Sequence, residues 1–147
     1  MTTQNVYQRR LVWTAGPAAG SYYGPIQLNA GVVGNTDWSA ASAAAFISMD
    51  GFDHLSIQGY VTAAGAATAT LTVESDDGVT MTFLWNETLG AYDSTTNTRN
   101  AAYVGTGGVN TYFHLHLDDA DGKLFHVKLV TSDVTGAAVV TFRQTKV

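Results

Sequence analysis

No cysteine occurs anywhere in the 147 residues, which excludes disulfide staples and thiolate metal sites. Basic residues are scarce as well, seven Lys and Arg against twelve Asp and Glu. With no basic stripe beyond Arg9-Arg10, the chain is a poor match to a phosphate backbone, so nucleic acid is not an expected partner. No apolar run approaches the roughly 18–20 residues of a membrane span, so no membrane partner is expected either. The opening MTTQNVYQRRLVW lacks the apolar centre of a signal peptide, so the chain is expected to be made in a cytoplasm. Charge of either sign is thin, at 13% of residues against about 25% in an ordinary soluble domain. A surface covered largely by Thr, Ala, Gly and Asn is easier to desolvate against a partner.

What is present is alternation. In GFDHLSIQGYVT, Leu55, Ile57 and Val61 fall on one side and His54, Ser56, Gln58 and Tyr60 on the other. Ala69, Leu71 and Val73 alternate with Thr70, Thr72 and Glu74, and Val79, Met81, Phe83 and Trp85 alternate with Thr80, Thr82 and Leu84. A period of two marks strands with one buried face. The most regular stretch is Asn110–Ser132, where Phe113, Leu115 and Leu117 alternate with His114 and His116, and Phe125, Val127 and Leu129 with His126 and Lys128. Asp118-Asp119-Ala120-Asp121-Gly122 between them predicts a tight antiparallel hairpin. Ala137–Lys146 reads as a last strand, and Asn86–Gly108 as a long irregular segment.

These short strands with turn signals between them predict an all-β fold, an antiparallel β-sandwich with a jelly-roll-like topology, over residues 47–147. Residues 1–46 hold both prolines, few charges and isolated aromatics. Val6–Trp13 suits an edge strand, while Gly16-Pro17, Gly20 and Gly24-Pro25 interrupt any pattern that follows. The segment is therefore expected to be an extended N-terminal arm, laid on its own domain or on a neighbour. Asp37 is placed to cap a short helix over Trp38–Phe46.

No pattern in the chain specifies catalysis, a cofactor or a metal. If Asn110–Ser132 is a hairpin, His114, His116 and His126 share one face, and three imidazoles are a donor set for Zn²⁺ or Ni²⁺. A polar outer face or a subunit interface is the favoured reading of them, since no carboxylate is positioned to orient them. Asp118–Gly122 fails the EF-hand template, because the closing position would be Lys128. Gly105-Thr106-Gly107-Gly108 lacks the lysine and helix of a phosphate loop. Ser, His and Asp occur without a motif that positions a nucleophile. Trp38 and Trp85 are candidates for sugar stacking but fit core or edge packing better. The expectation is a chain with no catalytic, cofactor or metal residues.

The cysteine-free, Thr/Ala/Gly-rich phrases GFDHLSIQGYVT, TATLTVESDDGVTMTFLW and FHLHLDDADGKLFHVKLVTS resemble small virion structural proteins of tailed bacteriophages, most of all capsid decoration (cement) proteins. The resemblance implies a β-sandwich subunit, often trimeric, that contacts copies of itself and a major capsid or other virion protein. It implies a virion location and no enzymatic activity. Thr68, Thr70, Thr72, Thr80 and Thr82 are then expected on outward surfaces that pack against the lattice. The competing reading is a carbohydrate- or receptor-binding β-sandwich module associated with a tail or fibre.

Overall fold

A computed structural model describes residues 5–13, 19–26, 37–41, 45–75, 85–86, 91–92, 102–117 and 124–146. The strands are β1 (Asn5–Trp13), β2 (Gly20–Gly24), β3 (Ile47–Ser48), β4 (His54–Thr62), β5 (Thr68–Ser75), β6 (Trp85–Asn86), β7 (Ala91–Tyr92), β8 (Ala102–Thr106), β9 (Thr111–Leu117), β10 (Leu124–Thr131) and β11 (Ala137–Lys146). One sheet has the order β1-β11-β4-β9 and the other β2-β10-β5-β8, with the short β3 also on β10. Every pairing is antiparallel. Leaving out the two-residue strands, the first strand pairs with the last, the second with the next to last, and so inward to β5 and β8. That nesting is a long antiparallel ribbon wound over on itself, the double Greek key of a jelly roll.

The core follows from the alternation. Leu55, Ile57 and Val61 of β4, Leu71 and Val73 of β5, Phe113 and Leu115 of β9, Phe125, Val127 and Leu129 of β10, and Val140 and Phe142 of β11 are all buried between the sheets. Small residues gather where the sheets come closest. Ala63, Ala67, Ala69 and Ala138 are buried there, and a Cβ on Gly105 would stand 2.5 Å from the Val61 carbonyl. The β4–β5 and β8–β9 corners are tied together: the Gly108 amide donates to the Ala63 carbonyl at 2.7 Å, and the Thr106 hydroxyl to the Ala67 carbonyl at 2.8 Å. Gly107 and Gly108 take φ of 69° and 72° to make that corner. The glycine-rich loop is thus a structural corner.

Three sequence expectations are corrected. First, β9 and β10 are not a hairpin: β9 pairs with β4, and β10 with β2, β3 and β5 in the opposite sheet. Alternation fixes which side of a strand is buried but not its neighbour, and a connection as long as 118–123 reaches across the ~10 Å between packed sheets. Second, residues 5–13 and 20–24 are not an arm. β1 is an edge strand, paired with β11 along its whole length, and Leu11 and Trp13 belong to the core. β2 completes the other sheet. The described segments on both sides of residue 46 therefore share one sandwich. Third, residues 38–41 and 45–46 of the expected Trp38–Phe46 helix are not helical. Ser39 and Tyr23 exchange backbone hydrogen bonds, and Ala45 bridges to Ile26. A strand bridge gives those backbone groups partners in the Tyr23–Ile26 segment of the same chain, whereas a nine-residue helix is marginal on its own.

The Asn86–Gly108 stretch also contains β7 and β8, so it is less irregular than its composition suggests. The expected strand over 79–84 and the Asp118–Gly122 turn lie outside the described residues. No helix among the described residues is long and apolar enough to cross a membrane.

Candidate functional site

The outer face of β1-β11-β4-β9 carries the densest set of polar and aromatic side chains. Register places them in rows across the sheet. Gln8, Arg143, Ser56 and His116 form one row, Arg10, Thr141, Gln58 and His114 the next, and Val12, Val139, Tyr60 and Tyr112 a third. Period-two geometry puts all of them on the side opposite the buried Leu55, Ile57 and Phe142. Among the described residues this face bears two arginines and three histidines (His54, His114 and His116) and no carboxylate, in a chain of formal net charge −5.

Two depressions open on this face. One of about 670 Å³ lies over Gln58, Tyr60, Tyr112, His114 and Thr141 and reaches down to Gly59, Tyr103 and Phe113. The other, about 360 Å³, is lined by Gln8, Ser56, Arg143, His116 and Thr145 and shares Gln58, His114 and Thr141 with the first. The two share three lining residues and so lie side by side as a trough over the sheet. Tyr112 is 72% exposed at its edge, with its ring centroid 5.6 Å from that of Tyr60. Tyr103 and Phe113 stack beneath it at 4.7 Å.

The histidines separate into different roles. His114 Nε2 and Ser56 Oγ share a hydrogen bond of 3.0 Å, and His116 stacks on His54 at 5.8 Å. The Ser–His contact has the first element of a nucleophile–base pair, but among the described residues no carboxylate holds the other nitrogen of His114. Strand backbone amides around it are spent in the ladder rather than aimed at a reacting oxygen. It is a cross-strand surface contact. His126 does not join His114 and His116, because it belongs to the other sheet. Among the described residues no group of three or more His, Asp or Glu converges on a point.

His126 lies instead on the outer side of β2-β10-β5-β8, yet it is only 3% exposed, beside Glu74 at 7%. His126 Nε2 meets Glu74 Oε2 at 2.9 Å, Lys128 Nζ approaches Glu74 Oε1 at 3.8 Å, and the Tyr23 ring stands edge-on to His126 at 5.2 Å. Glu74, expected to point into solvent, is therefore enclosed by its cross-strand partners. The other half of the same face is uncharged. Thr68 pairs with Thr106, and Thr70 lies between Val104 and Val130. Thr68 is exposed and Thr70 half-buried, as outward positions should be, while the Thr72 hydroxyl is enclosed without a partner among the described residues. Val104 and Val130 are 47% and 39% exposed. Thr80, Thr82 and the acidic turn 118–122 lie outside the described residues.

Trp38 packs against Trp13 in the core, 6.1 Å between rings, and is not a sugar platform. Trp85 pairs through its backbone with Tyr92. Tyr112 and Arg143 were not singled out by sequence, although the alternation that carries His114 and His116 outward carries Tyr112 with them. Arg143 needed the register of β11 on β4 to be placed.

No family model matches the chain, and no curated protein matches it in sequence. Among solved structures it is similar to a subunit of the disulfide-linked pili of Bacillus endospore appendages (17% identity, TM-score 0.44, covering 99% of this chain and 93% of that one). It is similar also to the SPBc2 prophage-derived protein YomS (13%, 0.43, 99% and 97%) and to a chain of Broad Bean Stain Virus (9%, 0.42, 97% and 85%). The jelly-roll assignment rests on the strand pairing, independently of these.

Proposed function

We propose that this chain is a non-enzymatic structural subunit of a virion, of the capsid decoration kind. It works by burying the outer face of β2-β10-β5-β8 against copies of itself and a larger shell protein. The observation that carries this reading is the uncharged patch of Thr68, Thr70, Thr106, Val104 and Val130. Removing hydroxyls and methyl groups from water costs far less than removing charges. The patch is built on paired strands, so it can be presented in one geometry and repeated by symmetry. Weak single contacts suffice, because simultaneous contacts in a lattice raise avidity by about 10²–10⁴ over one affinity.

The test is co-sedimentation with capsid shells. Thr70→Lys combined with Val130→Lys places two charges on the patch without touching the core. The double variant should remain folded and lose co-sedimentation. Binding at the level of the unaltered chain would overturn the assignment of this face.

A further inference from the structure

The trough on the opposite face calls for a different ligand. We propose that the outer face of β1-β11-β4-β9 binds an acidic oligosaccharide, with a sugar ring on Tyr112 and a carboxylate on Arg143. This is independent of the assembly reading, which uses the other sheet.

Three observations point there together. An exposed tyrosine beside a second one offers an apolar ring face with polar edges, the surface on which a pyranose stacks while its hydroxyls remain hydrogen-bonded. Next to it, Gln58 and Thr141 present amide and hydroxyl groups with no hydrogen bond to any other described residue. Neutral donors and acceptors of this kind match sugar hydroxyls. One row further, Arg143 makes no ion pair among the described residues and faces no carboxylate on the sheet. A guanidinium is built to take a carboxylate through two parallel hydrogen bonds.

The dimensions agree. Crossing from β9 to β1 spans three inter-strand steps of about 4.8 Å, roughly 14 Å, which suits a short saccharide chain. An acidic peptide would use the arginine but leave the tyrosine edge and the run of neutral hydrogen-bonding groups unmatched. A nucleic acid would need more than the two arginines present.

Isothermal titration calorimetry on the full chain tests this with three probes: trigalacturonic acid, α2,8-linked trisialic acid and neutral xylotriose. At least one acidic probe should bind at least tenfold more tightly than xylotriose. Tyr112→Ala should weaken that binding at least tenfold. Arg143→Gln should abolish the preference for the acidic probe while leaving residual affinity at the level of xylotriose. Both substitutions are on the surface, and matching circular dichroism melts will show that the fold is retained. The proposal is overturned if neither acidic probe binds, if both variants bind like the unaltered chain, or if a glutamate hexapeptide or a DNA oligonucleotide competes as well as the acidic sugar.

Discussion

Arg9 and Asp37 form an ion pair inside the sandwich, Nη2 to Oδ1, with the Asp37 side chain wholly buried. The same Arg9 nitrogen donates to the Ile26 carbonyl at 3.1 Å. One guanidinium thus joins β1 to two separate segments that precede β3. Breaking a buried pair leaves an uncompensated charge, at a cost of about 3–5 kcal/mol, whereas replacing both partners by apolar groups is often neutral. Arg9→Met should therefore lower the urea-unfolding free energy by about 3–5 kcal/mol. Adding Asp37→Leu should restore most of the loss.

Deleting residues 1–13 should prevent folding. The deletion removes Leu11 and Trp13 from the core and one of the two strands paired with β11. An extended arm would be dispensable for the fold, whereas this strand is not. Loss of dispersed amide resonances in a proton–nitrogen NMR spectrum is the expected outcome, and a well-dispersed spectrum would return the segment to the status of an arm.

Gly59 sits mid-strand in β4, where an added Cβ would fall 1.8 Å from the Val139 carbonyl oxygen. No flexible side chain can yield there, because the obstruction is backbone. Gly59→Ala should cost about 3 kcal/mol by overpacking, lowering Tm by roughly 6–12 °C for a chain of this size. Gly51→Ala is the contrast for space alone, since nothing lies within 4 Å of its added Cβ, although its φ of 79° is unfavourable for alanine. It should be the milder substitution in a thermal melt.

Asp133 accepts from the Thr135 hydroxyl at 2.6 Å and from the Thr135 amide at 2.8 Å. Those bonds, the hydroxyl first, hold its carboxyl below the ordinary value of 3.8. A carboxylate depressed on folding contributes stability above its unfolded pKa and loses it as pH falls through the folded one. Asp133→Asn should therefore melt below the unaltered chain at pH 7. The gap should close as pH is lowered below 3.8. A constant gap across that range would mean the carboxylate charge is not what Thr135 stabilises.

The strands β4, β5, β9, β10 and β11 and their buried faces were legible because large apolar residues alternate with polar ones. Neighbour relations were not. Phe113–Leu117 and Phe125–Leu129 look like the two arms of a hairpin, yet the same alternation serves two strands on facing sheets. Leu11 and Trp13 were hidden by the glycines and prolines that follow them, which punctuate a sheet-to-sheet crossing as readily as an arm. Glu74 falls on the polar side of its strand's alternation, and sequence cannot show that it is buried against His126 and Lys128. The trough was half legible: alternation carries His114 and Tyr112 outward, but Arg143 joins them only through the register of β11 on β4.

Self-association through the Thr70 face is the claim on which the functional reading stands, and light scattering on the purified chain measures it directly. The unaltered chain should scatter as a multiple of its 15.6 kDa subunit, and the Thr70→Lys, Val130→Lys double variant as a folded single subunit. An unaltered chain that remains a single subunit at high micromolar concentration, or a double variant that associates equally well, would contradict it.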